Sequence, residues 1–158
     1  GGAYTDASGN AWQADADYTG GATWSFQGLS ITGTSDPELY RDVRYSAATF
    51  GYTLPASPGS YTLKLHFVEG DARCLTPGTR TFNVSVNGTQ ALSSLDVCAA
   101  AGGLGKPLDE SIPVTVASGG SGVTVTFQTI SYGAMVSALE LIPQGASSAT
   151  RPESPPAP

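Results

Sequence analysis

From Ser60 to Phe67 the chain alternates, with Tyr61, Leu63, Leu65 and Phe67 on one side and Thr62, Lys64 and His66 on the other. That is the period of a half-buried antiparallel strand. The same period returns at Thr79–Val86, where Phe82, Val84 and Val86 form the hidden set, at Ile112, Val114 and Val116, and at Val123, Val125 and Phe127. Turn-forming clusters separate the runs: Ser57-Pro58-Gly59, Thr76-Pro77-Gly78, Asn87-Gly88 and Ala117-Ser118-Gly119-Gly120. Asn87-Gly88 predicts a two-residue hairpin joining Phe82–Val86 to Thr89–Leu95. No stretch sustains a helical period, although a short helical turn fits Pro37–Tyr40. The expected architecture is all-β, an antiparallel β-sandwich or jelly roll.

Composition agrees with many short strands: 40% of residues are hydrophobic, only 13% are charged, and there are 20 Gly and 11 Pro. A chain of 158 residues has the size of one domain. Residues 1–143 carry the strand pattern, whereas 144–158 are rich in Ser, Ala and Pro and read as an extended linker to a further module. The apolar runs are too short to span a bilayer as a helix. The net charge is −6, and the seven lysines and arginines stand singly along the chain, so no cationic footprint for nucleic acid is formed. The chain opens on Gly1-Gly2 without an initiator Met, so a mature or excised fragment is the expectation.

Two cysteines, Cys74 and Cys98, and a single histidine argue against a zinc site. The cysteines are either two buried thiols or one bridge. A bridge would contribute roughly 3 kcal/mol by restricting the unfolded chain, and would point to an oxidising compartment.

An ordered set of segments resembles the malectin and malectin-like carbohydrate-binding domains. It runs through Gly1-Gly2 with Tyr4-Thr5-Asp6, Gly9-Asn10-Ala11-Trp12, Asp15 and Gly20-Gly21, then Leu39-Tyr40 and Arg44-Tyr45. It continues with Tyr61 to Glu69, Arg80 to Val84, Val86-Asn87-Gly88, Asp96 and Ala99 to Gly103, and closes with Val136 to Ile142. The resemblance implies a β-sandwich that binds sugar through aromatic residues on loops at one end. In bacteria such domains are commonly appended to secreted carbohydrate-active enzymes, so a secreted, non-catalytic bacterial module is expected, with glycan as partner. By position the resemblance makes Tyr18 and Tyr45 ligand contacts. Two departures stand out. The family's adjacent aromatic pair is replaced by Gly70-Asp71-Ala72-Arg73-Cys74-Leu75, and its late acidic contact falls at Tyr132-Gly133. The glucose-disaccharide specificity of the family is therefore not carried over. Cys98 stands where the family has an aromatic residue, so a Cys74–Cys98 disulfide is expected to replace that packing.

Pyranose rings pack their axial C–H patches on aromatic faces, while their hydroxyls need side chains that donate and accept. Exposed aromatics beside Asp or Arg are thus the candidate site: Tyr18, Tyr45, Tyr132 and Trp24 as platforms, with Arg44, Asp71 and Arg73. Trp12 reads as packed core, the Gly20–Phe26 stretch around Trp24 reads as an exposed loop, and Arg44 also suits a structural pair with Asp42 or Glu69. Glycoside hydrolysis needs two carboxyl groups flanking a bond. The sequence offers Glu69 with Asp71, or Asp109 with Glu110, which read more simply as solvated acids. His66 lies near no nucleophile motif and reads as a hydrogen-bonded strand residue. No cofactor is expected, although Asp6, Asp15, Asp17, Asp36 and Glu38 could hold a structural calcium. Asn83-Val84-Ser85 and Asn87-Gly88-Thr89 match the glycosylation sequon. Protein or peptide recognition, or a spacer role, are the readings from other classes.

Overall fold

The computed structural model describes residues 1–145. Two short strands, β1 (Tyr4–Thr5) and β2 (Ala11–Trp12), lead into β3 (Tyr18–Thr19) and β4 (Ala22–Ser25). Helix α1 (Pro37–Arg41) precedes β5 (Asp42–Ser46), β6 (Thr49–Pro55) and β7 (Gly59–Phe67). A 3-10 turn (Ala72–Leu75), β8 (Thr81–Val86), β9 (Thr89–Leu95) and helix α2 (Val97–Ala101) follow. The chain closes with β10 (Leu108–Val116), β11 (Gly122–Ser131), β12 (Ala134–Val136) and β13 (Ala138–Pro143).

One layer is the sheet β3-β6-β11-β8-β9, and the other joins β10-β7-β13 to β12-β5-β4 through the short step from β12 to β13. Every pairing among the described strands is antiparallel. The expected all-β sandwich is therefore the fold. Its core follows the alternation in the sequence: β8 buries Phe82, Val84 and Val86, β11 buries Val123, Val125 and Phe127, and β7 buries Leu63, Leu65 and Phe67. Within the five-stranded sheet Phe50 lies opposite Phe127 and stacks on it at 4.7 Å. Phe67 meets Phe82 across the layers at 5.9 Å. Burying four such rings is worth several kcal/mol each before ordering costs.

Asn87 and Gly88 adopt φ of 49° and 79°, the left-handed pair that a tight hairpin turn requires, and join β8 to β9 as expected. The turns at Ser57–Gly59 and Ala117–Gly120 instead carry the chain between the two layers, because β6 and β11 share one sheet and β7 and β10 the other. The Pro37–Tyr40 segment is helical, with proline in the first turn and Arg41 bonded back to Glu38 at 2.9 Å. Asp96 caps α2 by accepting from the Ala99 amide at 3.0 Å, and Gly102 closes it at φ 78°.

Three expectations are corrected. The Gly20–Phe26 stretch, read as a loop, contains β4, whose amides pair with β5. His66, on an outward parity, is only 3% exposed, because the rings of Trp12 and Tyr40 pack edge-on against it at 5.4 and 5.7 Å. Its hydrogen-bonded strand role holds, with Asp109 at 2.8 Å and Glu140 at 3.2 Å. Cys74 and Cys98 are free, buried thiols rather than a bridge. Burial first, and then the Glu69 carboxylate beside it, pushes the Cys74 thiol up to about 12. The ring of Phe26 lies against Gly70, at the start of the loop that carries Cys74. Apart from Gln144 and Gly145, the segment read as a linker lies outside the described residues.

Candidate ligand-binding site

Trp24 on β4 lies opposite Val43 on β5, while Tyr45 lies opposite both Ala22 on β4 and Met135 on β12. Residues directly opposite, and residues two apart on one strand, share a face. Trp24, Val43, Tyr45 and Met135 therefore form one surface of the small sheet. Val43 and Met135 are buried, whereas Trp24 is 58% and Tyr45 38% exposed. Trp24 and Tyr45 occupy diagonal positions, whose backbones stand about 7–8 Å apart by sheet geometry. They border a cleft of about 900 Å³ whose far wall is Gly70, Asp71, Arg73, Arg80 and Tyr132.

That wall is built from two turns pinned together twice. Glu69, 1% exposed, accepts the amides of Gly70 and Asp71 on Oε1 and the Arg80 Nε–H on Oε2 at 2.7 Å. Arg80 in turn donates from Nη1 to the Gly133 carbonyl at 2.9 Å. The buried ion pair thus ties the Gly70–Leu75 loop to the Tyr132-Gly133 turn. Tyr132 itself sits at φ 64°, a conformation that side chains avoid, in a turn closed by the Gly133 amide on the Ser131 carbonyl. Its hydroxyl makes the second tie, donating to Asp71 Oδ2 at 2.8 Å.

Asp71 also receives the Arg73 amide and Nε–H on Oδ1, and the Arg73 Nη2–H on Oδ2 at 2.7 Å. The Arg73 side chain, with its amide and the Tyr132 hydroxyl, holds the Asp71 carboxyl well below the usual carboxylate range despite some burial. The guanidinium carbons of Arg73 and Arg80 each lie 4.8 Å from the Tyr132 ring centroid, within cation–π range. Tyr132 is therefore engaged with protein cations, and the unencumbered rings of the cleft are Trp24 and Tyr45.

Of the residues singled out in the sequence, Trp24, Tyr45, Asp71, Arg73 and Tyr132 converge on this cleft, and Tyr18 and Arg44 do not. Arg44 is 6% exposed and donates to Asp15 at 2.7 and 3.0 Å and to the carbonyls of Gly20 and Gly21. Its structural partner is Asp15, not Asp42 or Glu69. Its guanidinium carbon lies 3.4 Å from the Tyr18 ring centroid, which covers one face of that tyrosine. Phe26, Gln27, Val43, Arg80 and Met135 also line the cleft and were not singled out. Their approach depends on how β4, β5 and β12 pair, which local periodicity does not encode.

A second hollow of about 690 Å³ lies beside Trp12, Asp15, Arg44 and Glu140. Most of the acids considered for calcium are taken up in hydrogen bonds of their own. Asp6 accepts from Ser8, Asn10 and Trp12, and Asp36 from Tyr4, Ala7 and Ser35. Asp15 is taken by Arg44 and Tyr52. Among the described residues no group of three or more His, Cys, Asp or Glu side chains converges as a metal site would require.

Comparison with known proteins bears on the family and the fold. A probable leucine-rich repeat receptor-like serine/threonine-protein kinase of Arabidopsis thaliana is 30% identical over 85% of this chain and 15% of its own length. A Bacteroides uniformis β-glucuronidase structure superposes with a TM-score of 0.75 at 22% identity, over 90% of this chain and 17% of that one. A structure of the plant peptide RALF23 in complex with FER and LLG2 does so with 0.74 at 17% identity, over 88% and 44%. The two structural likenesses are of fold, and the chain spans less than half of each of these proteins. Residues 1–144 match the family model described as the malectin domain, and on that match the chain belongs to the malectin family.

Proposed function

We propose that this domain is a non-catalytic carbohydrate-binding module that holds a glycan in the cleft over Trp24 and Tyr45. The observation that carries the reading is the pair of exposed, unengaged rings on one sheet face, set over an apolar floor and facing a wall of polar groups. Sugar C–H patches suit such rings, and the wall suits hydroxyls. Non-catalytic binding is supported by the state of the nearby acids: Glu69 is buried against Arg80, and Asp71 is saturated by Arg73 and Tyr132. Neither is a free acid or base flanking the cleft.

The domain acts as one extracellular part of a longer protein and directs an attached module to glycan. Its small share of the relatives' lengths supports this, as does the fold's occurrence within a β-glucuronidase. Affinity in the micromolar to millimolar range, roughly −4 to −8 kcal/mol, is expected. A second reading, peptide recognition, is favoured by the fold's occurrence in a peptide complex.

A glycan array and a set of insoluble polysaccharides, screened with the native chain and with Trp24→Ala, test the proposal. Binding lost with Trp24→Ala at unchanged circular dichroism is expected. Silence across all glycans would overturn it and favour the peptide reading.

A further inference from the structure

Resting on that glycan reading, the hydrogen-bond inventory of the cleft narrows the class of sugar. Pyranose hydroxyls donate as well as accept, so a neutral sugar gains from free carboxylates beside its donors, whereas an anionic group needs donors alone. Both carboxylates of the wall are spent. Asp71 accepts four hydrogen bonds, and Glu69 lies 1% exposed beneath Arg80. Among the groups with hydrogens to spare are two cations. Arg73 uses Nε and Nη2 on Asp71, and Arg80 uses Nε on Glu69 and Nη1 on Gly133, which leaves Nη1 of Arg73 and Nη2 of Arg80 without a partner among the described residues.

The two free edges belong together. Both guanidiniums lie 4.8 Å from the Tyr132 ring centroid and both line the cleft, and the Arg73 side chain is 72% exposed. The Gln27 amide oxygen also remains free, since its nitrogen donates to Ser25, and it suits a hydroxyl of the same ring. The wall is formally neutral, so selectivity arises from which groups are free rather than from net charge. A free guanidinium edge is complementary to an anionic oxygen group.

We infer that the cleft binds acidic glycans, in which an anionic group, the carboxylate of a uronic acid or a sulfate ester, accepts from Arg73 and Arg80 while the sugar rings lie on Trp24 and Tyr45. Titration calorimetry of the intact chain distinguishes the two sources. One arm compares tetragalacturonic acid with its carboxyl-reduced tetrasaccharide, and the other a κ-carrageenan tetrasaccharide with its desulfated form. At least one acidic form binds about tenfold tighter than its neutral counterpart, as charge-assisted bonds require. That preference shrinks as salt is raised. Arg73→Gln lowers acidic binding about tenfold at unchanged melting temperature, whereas Lys64→Gln, which removes the same charge elsewhere, does not. Equal affinity for acidic and neutral forms, with Trp24→Ala abolishing both, would overturn the acidic selectivity and leave the glycan site standing. Equal effects of Arg73→Gln and Lys64→Gln would overturn the role of Arg73. No binding in either arm, with a silent array, would remove the glycan reading itself.

Discussion

Glu69 shows how a single buried charge can organise a site from below. Its carboxylate satisfies two loop amides and one guanidinium while almost wholly out of water. Removing it leaves the Arg80 charge without its buried partner. Glu69→Ala is expected to destabilise the fold by about 3–5 kcal/mol in urea denaturation, and Glu69→Gln by less, because an amide oxygen can still accept. The same carboxylate accounts for the cysteines. With its thiol pushed up to about 12 by burial and by Glu69, Cys74 is inert in the native state. Native protein at pH 8 is expected to resist iodoacetamide, and non-reducing mass spectrometry of the unfolded chain should return two free thiols. From the sequence the bridge was the expectation and it does not form; the charge beside Cys74 is not adjacent to it in the chain. At Asp109, burial pulls the carboxyl up, but bonds from His66 and Tyr40 outweigh it and bring it down to about 2. A depressed carboxylate stabilises above its unfolded value near 4 and loses that contribution as pH falls toward its folded value. Thermal melts should therefore show Asp109→Asn converging on the native chain between about pH 4 and pH 2.

At the scale of elements, the strands facing the core were legible, and of their pairings the β8–β9 hairpin was. β8 buries every second residue as its alternation predicts, and Asn87-Gly88 turns the chain because both residues tolerate positive φ. β4 was missed because only four residues long and flanked by glycines, it carries too little pattern to separate strand from loop. Whether a turn folds back or crosses between layers depends on long-range pairing, so the turn residues of Ser57–Gly59 and Ala117–Gly120 do not by themselves show that these turns pass between sheets. The loop over the cleft carries its own constraint. A Cβ on Gly70 would stand 2.5 Å from the Phe26 ring, so Gly70→Ala is expected to cost about 1–3 kcal/mol by overpacking. Phe26→Ala in the same chain should recover part of that loss, and a double-mutant cycle of melting free energies checks the coupling.

For the whole molecule, the sandwich provides a rigid support on which one end is specialised. The five-stranded sheet and the β10-β7-β13 sheet supply most of the core, and the small sheet β12-β5-β4 extends beyond them to carry Trp24 and Tyr45. That the sequence named five of the cleft residues but also Tyr18 and Arg44 has a physical cause. Aromatic and charged side chains announce themselves by type, while the sheet decides which ones meet. Tyr18 faces Arg44 and Tyr45 faces the cleft, although both are tyrosines on short strands of low-charge sequence. The two substitutions separate the central claim most directly. With a glycan found on the array, Tyr45→Ala is expected to weaken binding about tenfold or more through lost ring packing, and Tyr18→Ala to leave it within about twofold, at matched melting temperatures. Binding that survives Tyr45→Ala but fails with Tyr18→Ala would move the site to the other side of the small sheet and contradict the account.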